Sequence, residues 1–350
     1  MWWPSVAELV FENVCFRYPG ADTDTIQDLS FVIDSGQAHA LLGASGAGKT
    51  TLLNLMSGLL TPQSGRILLD GEDVTGLDGF ARGVSQVFQF PVLYSSLSAF
   101  ENLRVPLQAI GMDVERIRSR IEWVASELDL GDVLGRKPEN LSLYQKQLLA
   151  VGKAIAREDT ALVLLDEPLT AVEPQIKWSL RQTLRQVQAD TGVTMVYVTH
   201  DQTEALTFAS HVSVMTAEGL VQTGSPEEIY EQPANEYVAQ FVGSPGMNLL
   251  ATTTPEQTIG FRPEWVSLAA EPSGLVAEVE SVRPDATHQG QDWGYVWLKL
   301  TDGKRLQLKS DNTSFVINAP LTMQPGEQVN LVVNKWLTFR AGQREAAHGF

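Results

Sequence analysis

A mixed α/β fold with a mostly parallel sheet, followed by a separate all-β domain, is the architecture this sequence predicts, and three observations predict it. The apolar run Ala38-His39-Ala40-Leu41-Leu42 reads as a buried strand, leads into Gly43-Ala44-Ser45-Gly46-Ala47-Gly48-Lys49-Thr50, and is followed by helical spacing over residues 51–56. From Ala161, apolar strands alternate with helical segments, which requires crossover helices on a parallel sheet. Past about Phe241, short strands punctuated by Gly and Pro succeed one another without helices, the pattern of a small barrel or sandwich.

Length and charge narrow the possibilities. At 350 residues the chain is long for one core, and about 150 residues per domain suggests two or three units. The net charge of −17, from 42 acidic against 25 basic residues, argues against an extended nucleic-acid surface and against charge-driven binding to anionic lipid. No apolar run reaches the roughly 18 residues of a membrane span. Met1-Trp2-Trp3-Pro4-Ser5 lacks the basic flank and apolar core of a signal peptide, so a cytoplasmic chain is expected. The single cysteine, Cys15, falls in an alternating strand, cannot pair internally, and is expected to be a buried spectator thiol.

In chain order, residues 6–18 alternate like a strand and 26–33 like a second, with Pro19-Gly20 turning between them. After the Gly-rich loop and its helix, 65–69 reads as a strand closed by the Asp70-Gly71 turn, and 84–88 as another. From about Phe90 the character changes. Residues 99–110, 114–128 and 145–157 have helical spacing, which predicts a helical insertion over about 90–158 before the sheet resumes. Strands at 163–165 and 195–198 then alternate with helices at 177–188 and after Asp201. A domain boundary is expected between residues 240 and 241. Beyond it, residues 295–300, the Asp302-Gly303 turn and 305–308 read as a hairpin. Four of the eight tryptophans, Trp265, Trp293, Trp297 and Trp336, lie there, and core or rim packing accounts for them better than a ligand-stacking face.

The Gly-rich loop carries the strongest chemical signal. Glycines at 43 and 48 let backbone N–H groups wrap phosphates and aim the positive end of the following helix at them, while Lys49 reaches the outer phosphates and Thr50 ligates magnesium. Ala44, Ser45, Gly46, Ala47 and Thr51 complete this nucleotide-binding set. A second signal follows from Leu162-Val163-Leu164-Leu165, which runs into Asp166-Glu167 at the carboxyl end of a buried strand. Asp166 is placed to hold magnesium through its water shell, and Glu167 to orient and polarise the water that attacks a γ-phosphate. His200, in Val198-Thr199-His200-Asp201, ends another strand on the side where ligands of such sheets gather. Gln89 falls between the sheet and the helical insertion, where a neutral amide meets magnesium or water.

In this order and spacing, the Gly-rich loop, Gln89, Leu165-Asp166-Glu167-Pro168 and His200 resemble the Walker A, Q-loop, Walker B and H-loop motifs of ABC-transporter ATPases. The resemblance covers about residues 8–240 and implies a P-loop ABC ATPase with an antiparallel β subdomain beside the parallel core sheet. It places Tyr18 where the family keeps an aromatic that stacks on adenine. Gly260-Phe261-Arg262-Pro263-Glu264 and the strands after it resemble the OB-like regulatory domain of carbohydrate-importer ATPases, over residues 241–350. What the resemblance implies is an ATPase using ATP and Mg2+, a second ATPase subunit, two membrane permease subunits and a periplasmic or surface solute-binding protein. It also implies a peripheral place on the cytoplasmic face of the cell membrane and no nucleic-acid partner.

Two segments depart from the family pattern. The signature Leu-Ser-Gly-Gly-Gln reads Leu141-Ser142-Leu143-Tyr144-Gln145 here, keeping Ser142 and Gln145 but replacing both glycines, and side chains there obstruct close backbone approach to ATP on an opposite subunit. The D-loop, usually ending in Asp, reads Thr170-Ala171-Val172-Glu173. With residues 86–92 and Lys177-Trp178, the altered signature looks most like ATPase subunits of bacterial glycerol importers, in which two different ATPase chains pair. The expected function is therefore ATP-driven import of glycerol or a related polyol or sugar. A soluble ABC ATPase acting on nucleic acid or ribosomes, and a non-hydrolysing scaffold, are the alternatives; acidity argues against the first, and intact Lys49, Asp166, Glu167 and His200 against the second.

Overall fold

The computed structural model describes residues 7–170, 172–269, 275–284, 293–302 and 314–349. The chain divides into two compact units, Met1–Pro226 and Glu227–Phe350.

The first unit opens with β1 (Leu9–Phe16), β2 (Ile26–Ile33), β3 (Ala38–Gly43) and α1 (Lys49–Met56), followed by β4 (Ser64–Leu69), β5 (Glu72–Asp73) and β6 (Val84–Val87). Next come α2 (Ala99–Ala109), α3 (Val114–Glu127) and α4 (Leu143–Ala156). The chain then returns through β7 (Leu162–Asp166), α5 (Pro174–Thr191), β8 (Thr194–Thr199), α6 (Gln202–Phe208), β9 (His211–Thr216) and β10 (Gly219–Gly224). Two sheets result. One is antiparallel, in the order β2-β1-β4-β5. The other runs β10-β9-β3-β8-β7-β6, parallel throughout except for the antiparallel edge pair β9/β10.

Burial explains which strands sit where. All six residues of β3 and all six of β8 are buried, as expected of central parallel strands covered on both faces. β1 instead alternates, putting Leu9, Phe11, Val14 and Phe16 into the core. The same alternation corrects one expectation: Cys15 is only partly buried, because it falls on the face opposite Val14 and Phe16, and its Sγ accepts from the Asp28 N–H at 3.2 Å.

Local chemistry sets the helix ends. Ser98 and Glu101 form a reciprocal capping box on α2, Asp113 caps α3, and α5 has Pro174 in its first turn and a left-handed Gly192 after its last residue. Helix α5 thus extends three residues beyond each end of the expected 177–188. Helix α4 begins at Leu143, two residues before the expected start, because Ser142 caps it. Arg120, on α3, is fully buried and donates from Nε and Nη2 to the carbonyls of Ala156 and Ile155, so the carboxyl end of α4 is held by a guanidinium.

Among the described residues, the second unit contains α8 (Glu236–Phe241), preceded by α7 (Pro226–Glu231), and nine strands: β11 (Asn248–Ala251), β12 (Gln257–Phe261), β13 (Val266–Ala269), β14 (Leu275–Pro284), β15 (Trp293–Asp302), β16 (Ser314–Pro320), β17 (Gln328–Val333), β18 (Lys335–Arg340) and β19 (Gln343–Gly349). They form two antiparallel sheets, β11-β12-β18-β19 and β13-β17-β14-β15-β16, around one apolar core that includes Phe261, Trp265, Leu298 and Phe339. Residues 303–313, which hold the expected second hairpin strand, lie outside the described residues. Arg262 explains why α8 belongs with these strands: its buried guanidinium donates to the carbonyls of Tyr230, Ala239 and Val242. Trp265 is buried and Trp336 stacks on His348 at 5.4 Å between ring centres, which places both in packing roles.

Candidate active site

The carboxyl ends of β3, β7 and β8, three adjacent parallel strands, carry the Gly-rich loop, the Asp166-Glu167 pair and His200. Side-by-side parallel strands bring these sequence-distant segments to one edge of the sheet, where open α/β folds bind ligands.

The loop itself is shaped by its glycines. At Gly43 a Cβ would lie 2.4 Å from the carbonyl oxygen of Met215, so the neighbouring strand leaves no room for a side chain. Gly48 caps α1 at φ 85°, a left-handed conformation that a residue with a Cβ adopts only at a cost. Between them Ala44, Ser45 and Gly46 are exposed, while Ala47 and Lys49 are buried. Lys49 Nζ donates to the carbonyls of Gly43 at 2.8 Å and Ala44 at 2.9 Å, drawing the ammonium into the curl of the loop. Burial lowers the pKa of Lys49, opposed by the charges of Glu167 and Asp166.

An open pocket of about 380 Å³ is lined by Thr25, Ser45, Gly46, Gly48, Lys49, Thr50, Thr51 and Glu167. Thr25 is absent from the sequence expectations; it precedes β2 in a polar turn with no local mark of a ligand contact. Tyr18 stands beside this region, its hydroxyl 3.1 Å from Thr51 Oγ1 and its ring edge-on to Phe16.

The two acids differ in environment. Burial raises the pKa of Asp166, and the adjacent Glu167 adds to the rise while Lys49 opposes it. For Glu167, burial pushes upward as well, but hydrogen bonds from His200 and Thr170 outweigh it and hold the carboxyl below the ordinary glutamate range. Those contacts are His200 Nδ1 to Oε1 at 3.0 Å and the Thr170 hydroxyl donating to Oε2 at 3.0 Å. Glu167 also has φ 45°, unusual for a residue with a side chain, and its N–H donates to the Val198 carbonyl on β8 at 2.9 Å. The carboxylate is therefore held ionised, from two sides, at the pocket wall.

The remaining expected residues lie apart from that pocket's lining. Gln89 follows β6 and is partly buried. Ser142 and Gln145 sit at the start of α4, where each serves the other: Ser142 Oγ accepts from the Gln145 N–H at 3.1 Å and Gln145 Oε1 from the Ser142 N–H at 3.0 Å. This capping box needs Ser and Gln three residues apart and places no demand on the two positions between them. Leu143 is exposed there and Tyr144 partly so.

With this geometry in place, likeness to known proteins decides the family. The ABC transporter family profile matches residues 26–170, a span that holds the Gly-rich loop, Gln89, Ser142 and both acids. The trehalose import ATP-binding protein SugC of Mycobacterium tuberculosis is 39% identical over 274 residues, covering 78% of this chain and 69% of the relative. The sn-glycerol-3-phosphate import ATP-binding protein UgpC of Yersinia enterocolitica is 36% identical over 318 residues, covering 86% and 87%. The chain belongs to the ABC transporter family. Among solved structures, cbiO1 from Clostridium perfringens, part of the ABC transporter complex cbiONQ, superposes with a TM-score of 0.59 at 25% identity, over 64% of this chain and 90% of that one. This ABC transporter subunit is an ATPase, akin to the import ATP-binding proteins. Among the described residues, no helix is long and apolar enough to cross a membrane.

Proposed function

We propose that this ABC ATPase energises uptake of glycerol or a related polyol or sugar, working peripherally on the cytoplasmic face of the cell membrane beneath two permease subunits. The observation that carries the hydrolytic part is Glu167, ionised at the pocket wall and hydrogen-bonded to His200. In this reading the loop N–H groups of residues 43–48 and Lys49 receive the phosphates of ATP, and Tyr18 stacks on its adenine. Thr50, Asp166 and Gln89 would hold magnesium, which when bound neutralises charge on the phosphate oxygens. The fit rests on the donor set: a partly buried acid, an exposed threonine at the helix start and an amide are oxygen ligands suited to a hard cation. Glu167 accepts the proton of the attacking water, and His200 both steers Glu167 and contacts the γ-phosphate.

The relatives support a small polyhydroxylated cargo, since they are trehalose and sn-glycerol-3-phosphate import proteins. A surface between β6 and α4 supports the permease contact. A cavity of about 200 Å³ there is lined by residues that include Gln86, Phe88, Val92 and Lys153, and Phe90, Val92 and Tyr94 nearby are 68%, 62% and 51% exposed. A nucleotide-binding domain over residues 1–240, with its helical part over about 90–158, and an OB-like regulatory domain over 241–350 complete the reading. The compact second unit of two antiparallel sheets supports a separate β domain, although that unit begins at Glu227, before residue 241. A solute-binding protein delivers the cargo, and the acidic surface gives nucleic acid no purchase.

The altered signature favours a second ATPase subunit that is a different chain, and it is also the one observation behind the alternative of a non-hydrolysing scaffold. Purification of the intact complex, with mass spectrometry of its subunits and bound solute, tests the whole reading. Two permease chains, a second ATPase chain and a bound polyol or sugar are expected. A complex without permeases, or without Mg-ATP turnover, overturns it.

A further inference from the structure

His200 reaches Glu167 with a side chain that is half exposed, so something other than burial must aim it. The residues on either side of it are tied down by one buried carboxylate. Glu204, in the first turn of α6, is 3% exposed. Its Oε2 accepts from the Thr199 hydroxyl at 2.9 Å and the Tyr197 hydroxyl at 3.1 Å, and its Oε1 from Lys177 Nζ at 3.0 Å. Thr199 Oγ1 in turn accepts from the Asp201 N–H at 2.9 Å, so both chain neighbours of His200 are linked to each other and to Glu204. Asp201 then caps α6 by accepting from the N–H groups of Thr203 and Glu204 at 2.8 and 3.2 Å. A buried apolar side chain would fill the same space without needing three donors; the carboxylate adds direction. It fixes the end of β8 from the strand, from α6, and through Lys177 from α5, the helix that follows Glu167 in the chain.

We infer that Glu204 is a positioning residue for His200, holding the end of β8 so that the imidazole meets Glu167. This rests on the reading of Glu167 and His200 as the hydrolytic pair. Glu204→Gln keeps the shape but removes the charge, and its amide NH2 faces either Lys177, which cannot accept, or the two hydroxyls, whose bonds must then reverse, so one arm of the clamp weakens. Glu204→Asp keeps the charge with a shorter reach.

Mg-ATP turnover of the full chain in its assembled complex tests this, together with 15N resonances of the His200 ring, assigned by comparison with His200→Ala. Expected is a fall in kcat of about 10- to 100-fold for Glu204→Gln, as small misplacements of catalytic groups produce. KM for ATP stays within about 3-fold, since the loop that binds phosphates is untouched. Glu204→Asp lies between the two, and the His200 ring signals in Glu204→Gln move toward those in Glu167→Gln. Parental kcat and unchanged His200 signals in Glu204→Gln overturn the inference. So does an equal loss of ATP binding, kcat and melting temperature in both Glu204 variants, which marks a merely structural role. If Glu167→Gln itself turns over normally, the hydrolytic reading beneath it falls instead.

Discussion

His200 Nδ1 and Glu167 Oε1 lie 3.0 Å apart, joining the ends of two neighbouring parallel strands. The contact explains why a partly buried carboxylate stays below the ordinary glutamate pKa, and it is made from a left-handed backbone position that holds Glu167 toward the pocket. Glu167→Gln removes the proton acceptor while keeping the shape. ATP binding should persist and hydrolysis fall at least ~100-fold, within the range for loss of a general base. Turnover near the parental rate in a steady-state phosphate-release assay would exclude Glu167 as the base.

Lys49 has two loop carbonyls as partners and two acids acting on it from nearby. Lys49→Ala leaves the loop without the cation that faces the outer phosphates, so weaker ATP binding is expected, by about 10-fold or more if one charge-assisted contact is lost. Calorimetric titration with Mg-ATP measures this. Equal affinity in the variant and the parent contradicts the assignment.

His39 gives the first unit a pH dependence of its own. The ring is buried in β3 between Gln37 Oε1 at 2.9 Å and Ser213 Oγ at 2.8 Å, and its pKa is lowered from 6.5 to about 3, by burial first and then by His211. The unfolded chain therefore takes up this proton near pH 6.5, whereas the folded chain resists until about pH 3. The stabilising contribution of the neutral ring is complete above 6.5 and is lost as pH falls through that window, by up to ~1.4 kcal/mol per unit. Urea midpoints should drop less steeply with falling pH in His39→Gln than in the parent. Identical slopes would assign the acid sensitivity to other groups.

Much of the first unit is legible in the sequence because period and punctuation coincide there. β2 spans residues 26–33 as expected, and the loop after β3 is marked by glycines whose need is steric at Gly43 and conformational at Gly48. What escapes a local reading is burial that arises between distant elements. Glu204 belongs to the polar stretch Asp201-Gln202-Thr203-Glu204, which looks like a solvated helix start, yet β8 and α5 close over it. Helix α5 reaches Pro174 and Gly192 because those residues mark its ends more sharply than its apolar spacing does. The Ser142-Gln145 pair is visible as a fragment of a signature, but its work as a capping box depends on backbone geometry.

That capping box bears on how ATP is shared between subunits. Ser142 and Gln145 remain in place for α4 whatever occupies positions 143 and 144, so the helix start survives the loss of both glycines. What the chain loses is close backbone approach, since Leu143 is exposed where a glycine would present bare backbone. In a homodimer, each ATP would meet this altered segment from the opposite chain. In a heterodimer only one would, and the site built from Lys49, Glu167 and His200 of this chain would face an unaltered signature. The expected outcome is that changing Leu143 and Tyr144 together to Gly alters turnover of the assembled transporter far less than Glu167→Gln does. Melting temperature should fall by no more than about 4–8 °C, as two glycines in a first helical turn cost about 1 kcal/mol each at most. Phosphate release from complexes carrying each change separately decides the matter. If Glu167→Gln leaves most activity while substitutions around Ser142 abolish it, the active site is the one closed by this chain's signature, and the assignment of the two sites is reversed.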